Sequence, residues 1–134
     1  MRRRSPTNAR PAEDVPVRRA YMLREIYCEM NLFDKRRFPE PDSHDPHHLF
    51  GGRCGRADLV SNLLAVSRDA HDWLEANKTD GRVIALWIKA KKNELDPAEI
   101  RQASGMYLEG FLAKSVVSNE WVQPYLEELR TMFP

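Results

Sequence analysis

Cysteine is scarce in this chain: Cys28 and Cys54 are the only two among 134 residues. The basic N-terminal stretch has no apolar segment behind it and is not read as a secretory signal. Without export, a disulfide framework is excluded, and both cysteines are read as free thiols. Long apolar runs are missing too. None approaches the roughly 20 residues that cross a bilayer, which excludes a membrane span and leaves a cytoplasmic location as the expectation. The one glycine cluster, Gly51-Gly52-Arg53-Cys54-Gly55-Arg56, lacks both the spacing and the lysine of a phosphate-cradling nucleotide loop. What remains is 42% hydrophobic and 31% charged, the composition of a globular protein, and the length suits one domain with one modest core.

Charge is balanced overall, at +1, but not along the chain. Residues 1–19 hold Arg2, Arg3, Arg4, Arg10, Arg18 and Arg19 against Glu13 and Asp14, whereas from Glu94 onward three basic residues face seven acidic ones. One end can meet phosphates and the other cannot. With Pro6, Pro11 and Pro16 and few apolar residues, residues 1–19 read as a disordered basic arm. Such an arm either solubilises the chain or makes non-specific, salt-sensitive phosphate contacts.

Three of the four histidines fall in one stretch, Asp45 to Asn77, which reads DPHHLFGGRCGRADLVSNLLAVSRDAHDWLEAN. Pro46 to Phe50 reads as a strand, and because successive side chains on a strand point to opposite faces, His47 and His48 should diverge. Histidine with its ordinary pKa of about 6.5 can bind a metal or accept a proton at neutral pH. An adjacent pair on its own reads more readily as a surface turn, and only its partners downstream reverse that. Arg53 and Arg56 lie in the glycine loop, either solvated or placed to contact phosphates. Leu59 to Val66 reads as a second short strand containing Asn62. Ser67 is a good N-cap and Asp69 suits the helix dipole, so a helix is expected over about Arg68 to Ala76. On it His71 and Glu75, four apart, share a face. Glu75 is either a third metal donor or an exposed helix residue.

The order His47-His48, Asn62, His71 and its spacing resemble the HNH, or His-Me finger, family of metal-dependent DNA endonucleases, particularly those of phages and prophages. The resemblance covers Tyr21 to about Asn77. It implies an α+β fold: a small ββα-metal core at about residues 45–77, elaborated by N-terminal and C-terminal helices, in a single domain over residues 20–134. It implies hydrolysis of a DNA phosphodiester to 5′-phosphate and 3′-hydroxyl in a bacterial or phage-infected cell. His48 would be the general base, and Asn62 would bridge backbone groups and hold the histidine loop. His47 and His71 would bind one divalent metal ion, with Glu75 standing where colicin-type members carry a histidine. The carboxylate favours Mg²⁺ or Mn²⁺, with Zn²⁺, Ni²⁺ or Co²⁺ also open. Many members hold a structural zinc with two cysteine pairs. Here Cys28 keeps one position while Asn31, Ser67 and Ala70 occupy the others, so no structural zinc is expected. DNA is the implied partner, and a finger that binds DNA without cutting it is the alternative.

Helical spacing runs from Val17 to Met30, with Ala20, Leu23, Ile26 or Tyr27, and Met30. Beyond the finger, Asp80 is expected to cap a helix to about Lys92, with Val83, Leu86, Trp87 and Ala90 inward. Asp96-Pro97-Ala98-Glu99 opens another helix whose stripe is Ile100, Ala103, Tyr107 and Phe111, with Gly105 and Gly110 inside it. A last helix follows Pro124, with Leu126, Leu129 and Phe133. The C-terminal extension, residues 81–134, would supply core and a surface for a homodimer or for a phage or host protein.

Overall fold

The histidine pair sits on a strand, and the helical residues that line the cleft around it come from two helices later in the chain. The structure, a computed structural model, describes residues 15–51 and 58–134. Its fold is mixed α+β. In chain order among the described residues there are α1 (Val15–Arg24), α2 (Glu29–Phe33), β1 (Asp45–His48), a 3₁₀ turn (Val60–Asn62), β2 (Leu63–Val66), α3 (Arg68–Ala76), α4 (Lys78–Lys91), α5 (Pro97–Ser104), α6 (Leu108–Lys114), a second 3₁₀ turn (Glu120–Val122) and α7 (Gln123–Met132). No helix among the described residues is long and apolar enough to cross a membrane.

β1 and β2 pair antiparallel, with His47 opposite Leu64 and His48 opposite Leu63. Residues directly opposite share a face of the ladder, so the sheet has two unlike sides. Leu64 and Val66 join the main core with Ala70 and Leu74 of α3, Ile84 of α4, Ile100 of α5, Leu112 of α6 and Leu126 of α7. Leu63 and Ala65 face the other way, against Tyr21 of α1. On that side the buried carboxylate of Glu29 accepts the Ala65 N–H at 2.8 Å and the Tyr21 hydroxyl. Lys89 of α4, itself fully buried, donates to the Tyr21 oxygen at 2.8 Å. Burial first, and then the Glu29 charge, push the Tyr21 phenol far above its ordinary value. One polar network thus ties α1, α2, β2 and α4 together.

Several sequence expectations are corrected. Residues 15–19 belong to α1, so the arm expected over residues 1–19 does not extend that far; residues 1–14 lie outside the described region. The helix expected over Val17 to Met30 breaks between Arg24 and Glu29. There Tyr27 bridges Asp42 antiparallel, and the Cys28 N–H donates to the Pro41 carbonyl at 2.7 Å, so the backbone spends its hydrogen bonds on another segment. The second strand starts at Leu63 rather than Leu59. Ser61 is held instead by the start of α5: its hydroxyl donates to the Glu94 carbonyl at 2.9 Å and accepts from the Asp96 N–H at 2.7 Å. Asp80 does not cap α4. It is buried and accepts the backbone N–H groups of Ser118 and Asn119, each at 2.8 Å, pinning the loop before α7. The stripe ending at Tyr107 and Phe111 belongs to two helices, because Gly105 takes the left-handed conformation (φ 76°) and ends α5.

Two positions bear on how α3 meets α4. Ser67 caps α3 as expected, accepting from the Ala70 N–H at 3.2 Å. Gly81 of α4 lies so close to α3 that a Cβ there would fall 2.9 Å from Leu74 Cδ2 and 3.3 Å from the Leu74 Cα and carbonyl oxygen.

Candidate metal centre

β1 delivers the two histidines to opposite sides. His47 points to α3, where its ring meets that of His71 edge-on, with centroids 5.2 Å apart at 79°. Its Nδ1 lies 3.7 Å from Glu75 Oε1, and His71 Nε2 lies 3.6 Å from the same oxygen. The spacing of four along α3 is what places His71 and Glu75 on one face. Donor atoms of all three side chains fall within 4.8 Å of one another, the one such group among the described residues that could hold a metal ion. Ligands bonded at about 2.0–2.2 Å to one cation sit about 3.0–3.4 Å apart, so modest side-chain movements bring these donors into range.

The chemistry of the donors fits a cation. His47 Nδ1 is buried and, among the described residues, has no hydrogen-bond partner. A buried polar nitrogen without a partner is costly, and a lone pair aimed at two other donors is what a metal would engage. Burial, followed by the neighbouring His71 and only partly opposed by Glu75, lowers the His47 pKa to about 4, so at neutral pH the ring is uncharged and one of its two nitrogens carries a lone pair; in the tautomer protonated at Nε2 that nitrogen is Nδ1. Glu75 is half exposed. Burial works against its ionisation, but the Lys78 ammonium, 3.2 Å from Oε2, and then His47 and His71 more than offset this and hold its carboxyl below the ordinary range. One carboxylate oxygen is thus engaged by Lys78 while the other faces the imidazoles.

His48, on the other side of β1, is fixed by a carboxylate: its Nε2 lies 2.8 Å from Asp58 Oδ1. Asp58 is buried, and its second oxygen lies 3.8 Å from Arg18 of α1. A buried carboxylate next to imidazole Nε2 favours the tautomer protonated at Nε2, which leaves the Nδ1 lone pair as the basic site. The two histidines are not thereby separated into different sites. Both line one cleft of about 340 Å³, together with Gly51, His71, Leu74, Glu75, Lys78 and Arg82.

Asn62 holds the end of β1. Its side-chain oxygen accepts the Phe50 N–H at 2.8 Å, its amide donates to the Phe50 carbonyl at 3.0 Å, and its backbone carbonyl accepts the Leu49 N–H at 3.0 Å. These bonds replace the ladder immediately after His48, so the residues following the pair are locked to β2.

The positions compared with cysteine pairs are packed instead. The Cys28 thiol donates to the Ser67 hydroxyl at 3.6 Å, the Asn31 amide donates to the Phe38 carbonyl at 2.7 Å, and Ala70 is in the core. Of the other singled-out residues, Arg2, Arg3, Arg4, Arg53, Arg56 and Cys54 lie outside the described residues.

Sequence reasoning missed Asp58, Lys78 and Arg82. Asp58 carried a signal, as the single carboxylate between Asp45 and Asp69. Lys78 and Arg82 carried only their spacing of four on α4. Neither models of known protein families, nor curated proteins, nor solved structures gave a match to this chain.

Proposed function

We propose that this protein is a metal-dependent DNA endonuclease of the HNH type, with β1, β2 and α3 as its ββα-metal core. The observation that carries the reading is the convergence of His47, His71 and Glu75 around the unpartnered buried nitrogen of His47, with a carboxylate-held His48 in the same cleft. His47, His71 and Glu75 would hold one divalent ion. Two imidazoles and a carboxylate suit Mn²⁺, Zn²⁺, Ni²⁺ or Co²⁺ as well as Mg²⁺, which ordinarily prefers oxygen donors. When bound, such an ion supplies charge stabilisation at the phosphate and at the leaving 3′ oxygen.

The remaining steps belong to the chain. His48 Nδ1 accepts the proton of the attacking water, and the Asp58 carboxylate holds His48 Nε2–H and stabilises the imidazolium that forms. Asn62 keeps the backbone after His48 in place, so that base and ligands keep their relative positions. Attack on phosphorus with loss of the 3′ oxygen leaves 5′-phosphate and 3′-hydroxyl ends.

Nicking of supercoiled plasmid with Mn²⁺ or Mg²⁺, abolished by EDTA, tests the reading. His48→Ala should lower the rate about 10²- to 10⁴-fold while leaving Mn²⁺ affinity intact. DNA retardation without cutting under every metal would instead favour a non-cleaving DNA-binding finger.

A further inference from the structure

Arg82 is a half-buried cation lining the cleft, with no ion-pair partner among the described residues. Its Nε donates to the Leu49 carbonyl at 2.9 Å, and its guanidinium carbon lies 5.0 Å from the centre of the Phe50 ring. These contacts fix the side chain against the residues that follow His48. They use only one of five N–H donors. No carboxylate lies within ion-pair distance of Arg82 among the described residues; Glu75 acts on it only from further off, and burial lowers its pKa. Buried charges in proteins are ordinarily paired. Here Arg82 lines the cleft that holds the three candidate ligands and His48. Lys78, one helical turn earlier on α4, lines the same cleft.

We infer that Arg82, with Lys78 beside it, forms an anion subsite that takes the non-bridging oxygens of a phosphodiester next to the His47, His71 and Glu75 donors. The inference deepens the nuclease reading and rests on it for the identity of the substrate. A planar fork matches two phosphate oxygens at once, and Arg is suited to this where Lys offers a point charge. The subsite would present the phosphorus to the base side of the cleft without contributing to metal binding.

Inorganic phosphate in EDTA-treated protein is the direct probe, read as a rise in melting temperature. Arg82→Gln is the informative variant. Its side-chain amide sits where Arg Nε does and can still donate to the Leu49 carbonyl, while the fork and the charge are gone; Arg82→Lys keeps the charge alone. Wild type should be stabilised by phosphate, Arg82→Gln should not, and Arg82→Lys should respond partially. A phosphate response in Arg82→Gln equal to wild type overturns the subsite, as does no response in wild type. Calorimetry with Mn²⁺ alone should give the same affinity in wild type and Arg82→Gln; a loss would make Arg82 a support of the metal donors and overturn its assignment to phosphate. Plasmid cleavage in Mn²⁺ separates the two readings: a loss of about 100-fold in Arg82→Gln is expected from removing one charge-stabilising group. No cleavage by wild type would sink the nuclease reading while leaving the phosphate titration to decide the subsite.

Discussion

Acidifying the metal-free protein should destabilise it through His47, in a pH range where carboxylates contribute little. The unfolded chain takes up a proton at His47 near the ordinary pKa of 6.5, whereas in the folded protein burial and His71 hold that pKa at about 4. Above pH 6.5 both states are neutral at this residue and it has no pH effect. As the pH falls below 6.5 the unfolded state binds a proton that the folded state refuses, so stability is lost, and the loss levels off below about pH 4. The full shift of about 2.5 pH units corresponds to about 3 kcal/mol, of which about 2 kcal/mol is lost by pH 5. For a domain of this size the pH 5 portion is a sizeable share of the total stability. Urea denaturation in EDTA at pH 7 and pH 5 measures it, with His47→Gln as the control that cannot titrate. Wild type should lose about 2 kcal/mol more than His47→Gln over that interval. Parallel losses in the two proteins would refute the reasoning, since they would mean that His47 protonates in place without cost. Saturating Mn²⁺ at pH 7 should add stability in wild type, because an ion that binds only the folded state stabilises it by mass action.

Glu75→Ala should raise the Mn²⁺ concentration needed for cleavage, with partial rescue by excess metal, and Glu75→His should move preference towards Zn²⁺, Ni²⁺ or Co²⁺; an unchanged metal titration in both variants would make Glu75 a bystander. Asp58→Asn, which leaves His48 without its carboxylate, should lower the cleavage rate about 10²-fold or more and alter its pH profile, while Mn²⁺ affinity measured by calorimetry stays the same. Chelation should leave the circular-dichroism spectrum intact, because Cys28, Asn31, Ser67 and Ala70 are held by hydrogen bonds and packing; a fold lost on chelation and restored by zinc alone would contradict this.

Local signals in the sequence were the reliable ones. Ser67 as cap, Asp96-Pro97 as a helix start and the i,i+4 pair His71 and Glu75 all act within one turn, and in the structure Ser67 and Asp96 cap their helices while His71 and Glu75 share one face of α3. Asn62 could be assigned a bridging role only by resemblance, since its partner, Phe50, lies across the glycine loop. The errors came where distant residues compete for the backbone. Tyr27 sits in a good helical pattern, but its segment pairs with Asp42 and its neighbours, and Asp80 looks like a cap until the loop at Ser118 and Asn119 claims its carboxylate. Periodicity continued through Gly105, where one left-handed residue ended the helix. Arg82 was invisible as a site residue because its place depends on how α4 packs against the end of β1, and no local pattern encodes that.

The contact at Gly81 sets a limit on how this site can change over evolutionary time. Leu74 directly precedes Glu75 on α3, and Gly81 directly precedes Arg82 on α4, so this contact between the two helices lies beside a candidate donor and a basic residue of the cleft. Even one methyl group at position 81 would press on the Leu74 backbone as well as its side chain, and α3 would have to yield relative to α4. The histidines, the carboxylate and the arginine each act through a functional group that another side chain can supply in part. Position 81 has no such substitute, because what it supplies is the absence of a side chain, and every other amino acid is larger.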